Sequence, residues 1–155
     1  MDAEEFIAAV KRYERLLFYI AYSILRRRED CADAVQEAIL KAWASRGKLR
    51  DGRQIKPWLT RILVNTCFTM RRGEKPVCGL DERLPALTVD NLPLHDALER
   101  LPDNLRLPLV LHYLEGFSVR EIARIMEAPQ GSVKTWMLRG RRELEQMLGE
   151  KEMKP

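Results

Sequence analysis

Residues 118–142 read SVREIARIMEAPQGSVKTWMLRGRR, and this stretch decides the fold class. Ser118-Val119-Arg120-Glu121 is a capping box, in which a serine hydroxyl and a glutamate carboxylate three residues later accept from each other's backbone N–H and open a helix. Ile122, Ala123, Ile125 and Met126 supply its apolar stripe, and Pro129 then opens a second helix that runs to about Leu148. On a wheel advancing about 100° per residue, Val133, Met137, Gly140 and Leu144 share one side of that second helix. Gly131, Thr135, Leu138, Arg139 and Arg142 share the other. The first set is expected to pack and the second to face outward. From Ala128 to Arg142 there are four basic side chains and no acid. Two helices joined by a short turn, the second with an outward face of small, hydroxyl and arginine side chains, suit a DNA major groove. The same shape also arises as a plain helical hairpin in a bundle.

Upstream of this pair, a short helix is predicted from Pro93 to Leu101 and another from Asp103 to about Leu114, stopped by Gly116. Pro108 lies inside the latter and removes one backbone hydrogen bond unless the helix starts late or kinks. Periodicity fails over residues 73–92, where Gly73, Pro76, Gly79 and Pro85 recur, so the segment reads as a flexible linker between two domains. Three more helices precede it. The first spans about residues 3–26, with Phe6, Val10, Tyr13, Leu17, Ile20 and Ile24 at helical spacing. Asp30 is expected to cap the second, which buries Ala34, Val35, Ala38, Ile39, Ala42 and Trp43 and ends near Gly47. Pro57 falls in the first turn of the third, with Trp58, Leu59, Ile62, Leu63 and Phe68 inward. The expected architecture is all-α: a three-helix bundle over residues 1–72, a linker over 73–92, and a four-helix domain with a helix-turn-helix over 93–155.

Composition narrows the function. With 155 residues, 46% apolar and 32% charged, the chain is globular, not disordered or collagenous. No apolar run approaches the roughly 20 residues of a membrane span, and the acidic start with Asp2, Glu4 and Glu5 lacks a secretory signal, so a cytoplasmic protein is expected. Cys31, Cys67 and Cys78 form no C-x-x-C pair and read as reduced, mostly buried thiols. His95 and His112 lack metal-ligand spacing, and no G-x-S-x-G or phosphate-binding loop occurs, so neither enzyme chemistry nor a cofactor or metal is expected. Charge is uneven. Residues 1–72 carry +6, residues 73–92 carry −2 and residues 93–155 are neutral; within the first, Arg46 to Arg72 holds eight cations against Asp51 alone. So lopsided a stretch is better explained by a polyanion than by solvation.

Several motifs together carry a resemblance. Asp33-Ala34-Val35-Gln36-Glu37-Ala38 and Lys56-Pro57-Trp58-Leu59-Thr60-Arg61-Ile62-Leu63-Val64-Asn65 stand in the first domain. Leu101-Pro102, Tyr113-Leu114-Glu115-Gly116-Phe117-Ser118, Glu121-Ile122-Ala123 and Gly131-Ser132-Val133-Lys134 stand in the second. In this order, over nearly the whole chain, they resemble a bacterial sigma factor of the extracytoplasmic function (ECF) group, the smallest type of the sigma-70 superfamily, with only regions two and four. The resemblance implies a subunit that binds core RNA polymerase and directs it to promoters. It assigns Asp33, Gln36 and Glu37 to polymerase. The melted minus-10 element falls to Lys48, Arg50, Arg53, Lys56, Arg61, Asn65, Arg71 and Arg72, with Trp58 read as core. The minus-35 element falls to Gly131, Ser132, Lys134, Thr135, Leu138, Arg139 and Arg142. An anti-sigma partner and a monomeric free state are also implied.

The chain departs from that pattern at Leu49, Thr69 and Trp136, where such factors often have Phe, an acid and a basic residue, and at Glu127, where they often have Gly. Glu is strained in the left-handed conformation of a Gly cap, so a differently shaped turn is expected there. Two other classes remain open from sequence: a two-domain DNA-binding regulator that never joins polymerase, and a helical adaptor that binds only protein.

Overall fold

The computed structural model describes residues 1–72 and 92–152, and every regular element among them is helical. The helices are α1 (Ala3–Leu25), α2 (Arg28–Ala44), α3 (Ile55–Arg72), α4 (Leu92–Arg100), α5 (Asp103–Leu109), α6 (Val119–Met126) and α7 (Gln130–Glu152). Short 3-10 turns at Arg46–Lys48 and Gly52–Gln54 link α2 to α3. The chain divides into two compact units, one built on α1, α2 and α3, the other on α4, α5, the first turns of α6, and α7. The expected linker falls almost wholly, and Cys78 wholly, outside the described residues.

In the first unit α1 begins where the Asp2 carboxylate accepts from the Glu5 N–H at 2.8 Å, with Glu4 and Glu5 at the positive end of the helix dipole. It ends where Arg26 turns left-handed, φ 63°, and donates its N–H to the Tyr22 carbonyl. The core is Phe6, Leu17, Ile20, Ala21 and Ile24 of α1, Cys31, Ala34, Val35, Ala38 and Ala42 of α2, and Ile55, Leu59, Leu63, Val64 and Cys67 of α3. Small residues on α2 let its neighbours approach closely. Burial pushes the Cys31 and Cys67 thiols up to about 12, so both stay protonated and inert at neutral pH.

Three expectations are corrected. Asp30 does not cap α2, which starts two residues earlier with Arg27 in the cap position and no side-chain cap bond. Ile39 is only half-buried, and Trp43 stands exposed on the flank, edge-on to Phe6 at 5.3 Å between centroids. On α3 the inward phase is rotated: Trp58, Ile62 and Phe68 are half-buried, while Thr60 and Thr66 are fully buried. The reason is that a helical threonine can satisfy its hydroxyl internally. Thr60 and Thr66 donate to the carbonyls of Lys56 and Ile62, each at 2.8 Å, and so occupy core positions that a count of apolar residues skips.

In the second unit α5 carries Pro108, and its last turns widen into a π turn over Val110–Leu114. The missing proline N–H is thus accommodated by a change of helical pitch. Leu105, Leu107, Leu109, Val110, Leu111 and Phe117 form the core with Val133 and Met137 of α7. Arg106 is buried, but its guanidinium pairs with Asp103 and donates to the Leu101 carbonyl at 2.8 Å. At Gly140 the two helices nearly touch: a β-carbon there would lie 2.7 Å from Leu109 Cδ1 and 3.1 Å from the Leu105 carbonyl oxygen. Around Gly131, at the other end of the exposed face, nothing lies within 4 Å.

Gly140→Ala is therefore expected to lower stability by about 1–3 kcal/mol through overpacking. Gly131→Ala should raise it by up to about 1 kcal/mol through helix propensity. Thermal denaturation of the two variants checks the opposite signs.

Candidate nucleic-acid interface

The helix-turn-helix is set by local bonds. The Ser118 hydroxyl accepts from the Glu121 N–H at 3.1 Å and the Glu121 carboxylate accepts from the Ser118 N–H at 3.0 Å, which is the reciprocal cap expected from the sequence. Gly116 (φ 74°) makes the preceding turn, held by the Phe117 N–H on the Leu111 carbonyl at 3.0 Å. The turn after α6 overturns an expectation. Glu127 takes the left-handed conformation itself, φ 54°, and the Ala128 N–H closes on the Ala123 carbonyl at 2.9 Å. The loop keeps the shape that glycine would take, with the strain carried by a glutamate.

α7 then presents the two faces read from the sequence. Val133, Met137 and Gly140 are buried and Leu144 is half-buried. Gly131, Lys134, Thr135, Leu138, Arg139 and Arg142 are exposed, with Ser132 half-exposed beside them. The Thr135 hydroxyl donates back to the Gly131 carbonyl at 3.0 Å. Arg141, off this face, donates to the Tyr113 hydroxyl at 2.6 Å and ties α7 to the end of the π turn. Trp136 is half-buried at the edge of the core.

In the first unit the cations surround the α2–α3 connection. Lys48, Arg50 and Arg53 are exposed and Lys56 is half-buried. Asp51 bends the chain by accepting from the Arg53 N–H at 3.0 Å, and it also accepts from Arg53 Nε at 3.3 Å. These bonds, the backbone one foremost, hold its carboxyl below the usual carboxylate range, so it is ionised while the Arg53 side chain stays 90% exposed. Arg61, Asn65 and Arg72 recur at four and seven residues along one exposed face of α3, and Arg71 is exposed at its end. Arg46 is held elsewhere: its guanidinium lies 3.7 Å over the Trp43 ring and donates to the Trp43 carbonyl at 2.9 Å. On α2, Asp33, Gln36 and Glu37 form an exposed strip, Glu37 pairing with Lys41 at 3.4 Å. The same strip continues through Leu40, 63% exposed, which the sequence reading missed. No periodicity signals an outward leucine; only its spacing of three from Glu37 and four from Gln36 places it there.

An outward cationic face on the second helix of a helix-turn-helix is the arrangement that DNA-binding proteins lay in a major groove. Comparison with known proteins specifies it. Residues 9–76 match the family described as Sigma-70 region 2, and residues 91–144 match Sigma-70, region 4. Among relatives, the ECF RNA polymerase sigma factor SigM of Mycobacterium tuberculosis is 32% identical over 155 residues, covering 96% of this chain and 79% of SigM. The ECF RNA polymerase sigma-E factor of Escherichia coli is 31% identical over 134 residues, covering 72% of this chain and 70% of its own. The sigma factor RpoE of Bartonella quintana, solved with the anti-sigma factor NepR, shares the fold at a TM-score of 0.80 and 24% identity, over 95% of this chain and 98% of that one. CnrH, solved with the cytosolic domain of CnrY, shares it at 0.71 and 23%, over 93% and 87%. The chain belongs to the sigma-70 family of transcription initiation factors and, within it, to the ECF sigma factors.

At position 127 the strain gives a direct test. Melting temperatures are expected in the order Glu127→Gly, native, Glu127→Val, because only glycine is relaxed at positive φ and a β-branched residue is the worst there. About 1 kcal/mol or more should separate the two variants.

Proposed function

We propose that the chain binds core RNA polymerase and directs it to promoters, with residues 1–72 as the region-two domain and 93–155 as the region-four domain. In this reading α2 docks on polymerase through Asp33, Gln36 and Glu37. Lys48, Arg50, Arg53 and Lys56, with Arg61, Asn65, Arg71 and Arg72 on α3, hold and open the minus-10 element. α7 reads the minus-35 element, with Thr135, Leu138 and Arg139 nearest base edges and Ser132, Lys134 and Arg142 on phosphates. The observation that carries the reading is the outward face of α7, where Lys134, Thr135, Leu138, Arg139 and Arg142 are exposed and Ser132 half-exposed, with no acid between Ala128 and Arg142. The Glu37–Lys41 pair restrains one polymerase contact, and the loop around Asp51 leaves its cations in solvent, where they can follow a single strand's phosphates. Among the described residues no helix is long and apolar enough to cross a membrane, and the protein would work in the cytoplasm where polymerase transcribes. The anti-sigma factor NepR solved with the Bartonella quintana protein supports, for this chain, a regulatory partner of the same kind.

Asp33→Ala combined with Glu37→Ala is expected to weaken binding to core polymerase while leaving the melting temperature within about 1 °C of native, since both side chains are exposed. A core titration that shows unchanged affinity removes α2 from the interface.

Base and phosphate contacts separate by salt. Lys134→Ala should weaken all duplexes alike and lower the slope of log affinity against log salt by about one. Arg139→Ala should flatten preference at one base pair, by about 1–3 kcal/mol if the contact is bidentate to guanine. The measurement is a salt series of holoenzyme binding to a selected duplex and its single-base variants. If neither substitution changes affinity, preference or slope, α7 is not the reader and a protein-only adaptor fits better. DNA binding without polymerase binding would instead favour an independent regulator.

A further inference from the structure

The outward face of α7 contains carbon that its charge does not explain. Leu138 is 45% exposed, one residue from Arg139 and four from Lys134, within a run of four cations and no acid. Thr135 lies three residues before it, on the same face. Its hydroxyl donates to the Gly131 carbonyl at 3.0 Å, so the proton is committed to the helix backbone. Thr135 thus offers a methyl group and an acceptor outward, but no donor.

A partner for this face must be anionic at the edges and apolar at the middle. Duplex DNA meets both demands in its major groove: phosphates line the rims, and the C5-methyl of thymine is the one apolar group on the base edges. A guanine edge, with two acceptors, would find no donor on Thr135 or Leu138 and is left to Arg139. We propose that Leu138 and Thr135 recognise thymine through its C5-methyl group, so that the site read by α7 has an obligatory thymine beside the base read by Arg139. This rests on the reading of α7 as the minus-35 helix and names the chemistry by which it selects.

Deoxyuridine tests it, because it keeps every hydrogen-bonding group of thymine and lacks only the methyl. Holoenzyme made from the full chain and core polymerase is bound to a duplex selected from a randomised pool, with each thymine replaced in turn by deoxyuridine. At one or two positions affinity should fall about fourfold, the worth of one buried methyl group. Leu138→Ala should bind the thymine and uracil duplexes equally at that position. Thr135→Ser, which keeps the hydroxyl and deletes the methyl, should lose part of the discrimination. Both sites are exposed, so the variants should fold as the native chain does, which circular dichroism verifies. Indifference to uracil at every position, or undiminished discrimination in Leu138→Ala, overturns the inference. If a preferred duplex emerges whose preference Arg139→Ala flattens, yet it is indifferent to uracil, α7 remains the reader and only the methyl mechanism fails. If selection yields no preferred sequence, the reading of α7 fails with it.

Discussion

The second unit depends on one close contact, the approach of α7 to α5 at Gly140. A β-carbon at that point would displace the Leu109 methyl and press on the Leu105 carbonyl, so a glycine lets the two helices come this close without strain. Helix packing at this distance fixes rotation about the helix axis as well as separation, because neighbouring side chains interdigitate on either side. Met137 and Val133 fill the space one and two turns before Gly140, and their burial leaves α7 a single orientation. Once that is set, the exposure of Thr135, Leu138, Arg139 and Arg142 follows from the 3.6-residue period. The exposed cationic face is thus the remainder of a packing problem solved on the opposite side.

Two acidic side chains near the candidate DNA surfaces shape the chain. Glu121 closes a capping box, and Asp51 bends the α2–α3 connection by binding the Arg53 N–H. The Arg53–Asp51 ion pair is exposed and contributes little to stability, so it matters through geometry rather than energy. Their positions leave Lys48, Arg50, Arg53 and the α7 cations facing solvent. A polyanion approaching either surface meets positive charge with few carboxylates to repel it.

Most of the architecture was legible because the helices obey the apolar period and carry explicit punctuation. Ser118 with Glu121, Gly116, and Pro57 fall where the chain starts or stops its helices. Several placements that the apolar period does not show depend on a polar group finding a partner that spacing does not reveal. Thr60 and Thr66 are core residues because of i−4 carbonyls, and Trp43 can sit outside because the Arg46 guanidinium lies over its ring and Phe6 meets it edge-on. Arg106 is buried because Asp103 and the Leu101 carbonyl take its donors. Of the candidate site, the exposed cations were legible from periodicity. Leu40 was not, since an outward leucine violates the rule that placed the rest.

Glu127 shows why departures from a family pattern need not change a fold. The expectation that a non-glycine residue would reshape the turn treated local preference as decisive. Left-handed backbone at a single non-glycine residue costs on the order of 1–3 kcal/mol, whereas burying one Ile or Val side chain returns about 1.5–3 kcal/mol. Ile122 and Ile125 before the turn and Val133 after it are each buried to within 1%. Releasing the strain at Glu127 by a different turn would swing those side chains out of their seats. Packing on both sides therefore outweighs the conformational cost between them, and the entry angle of α7, which sets how its cationic face is presented, survives the substitution.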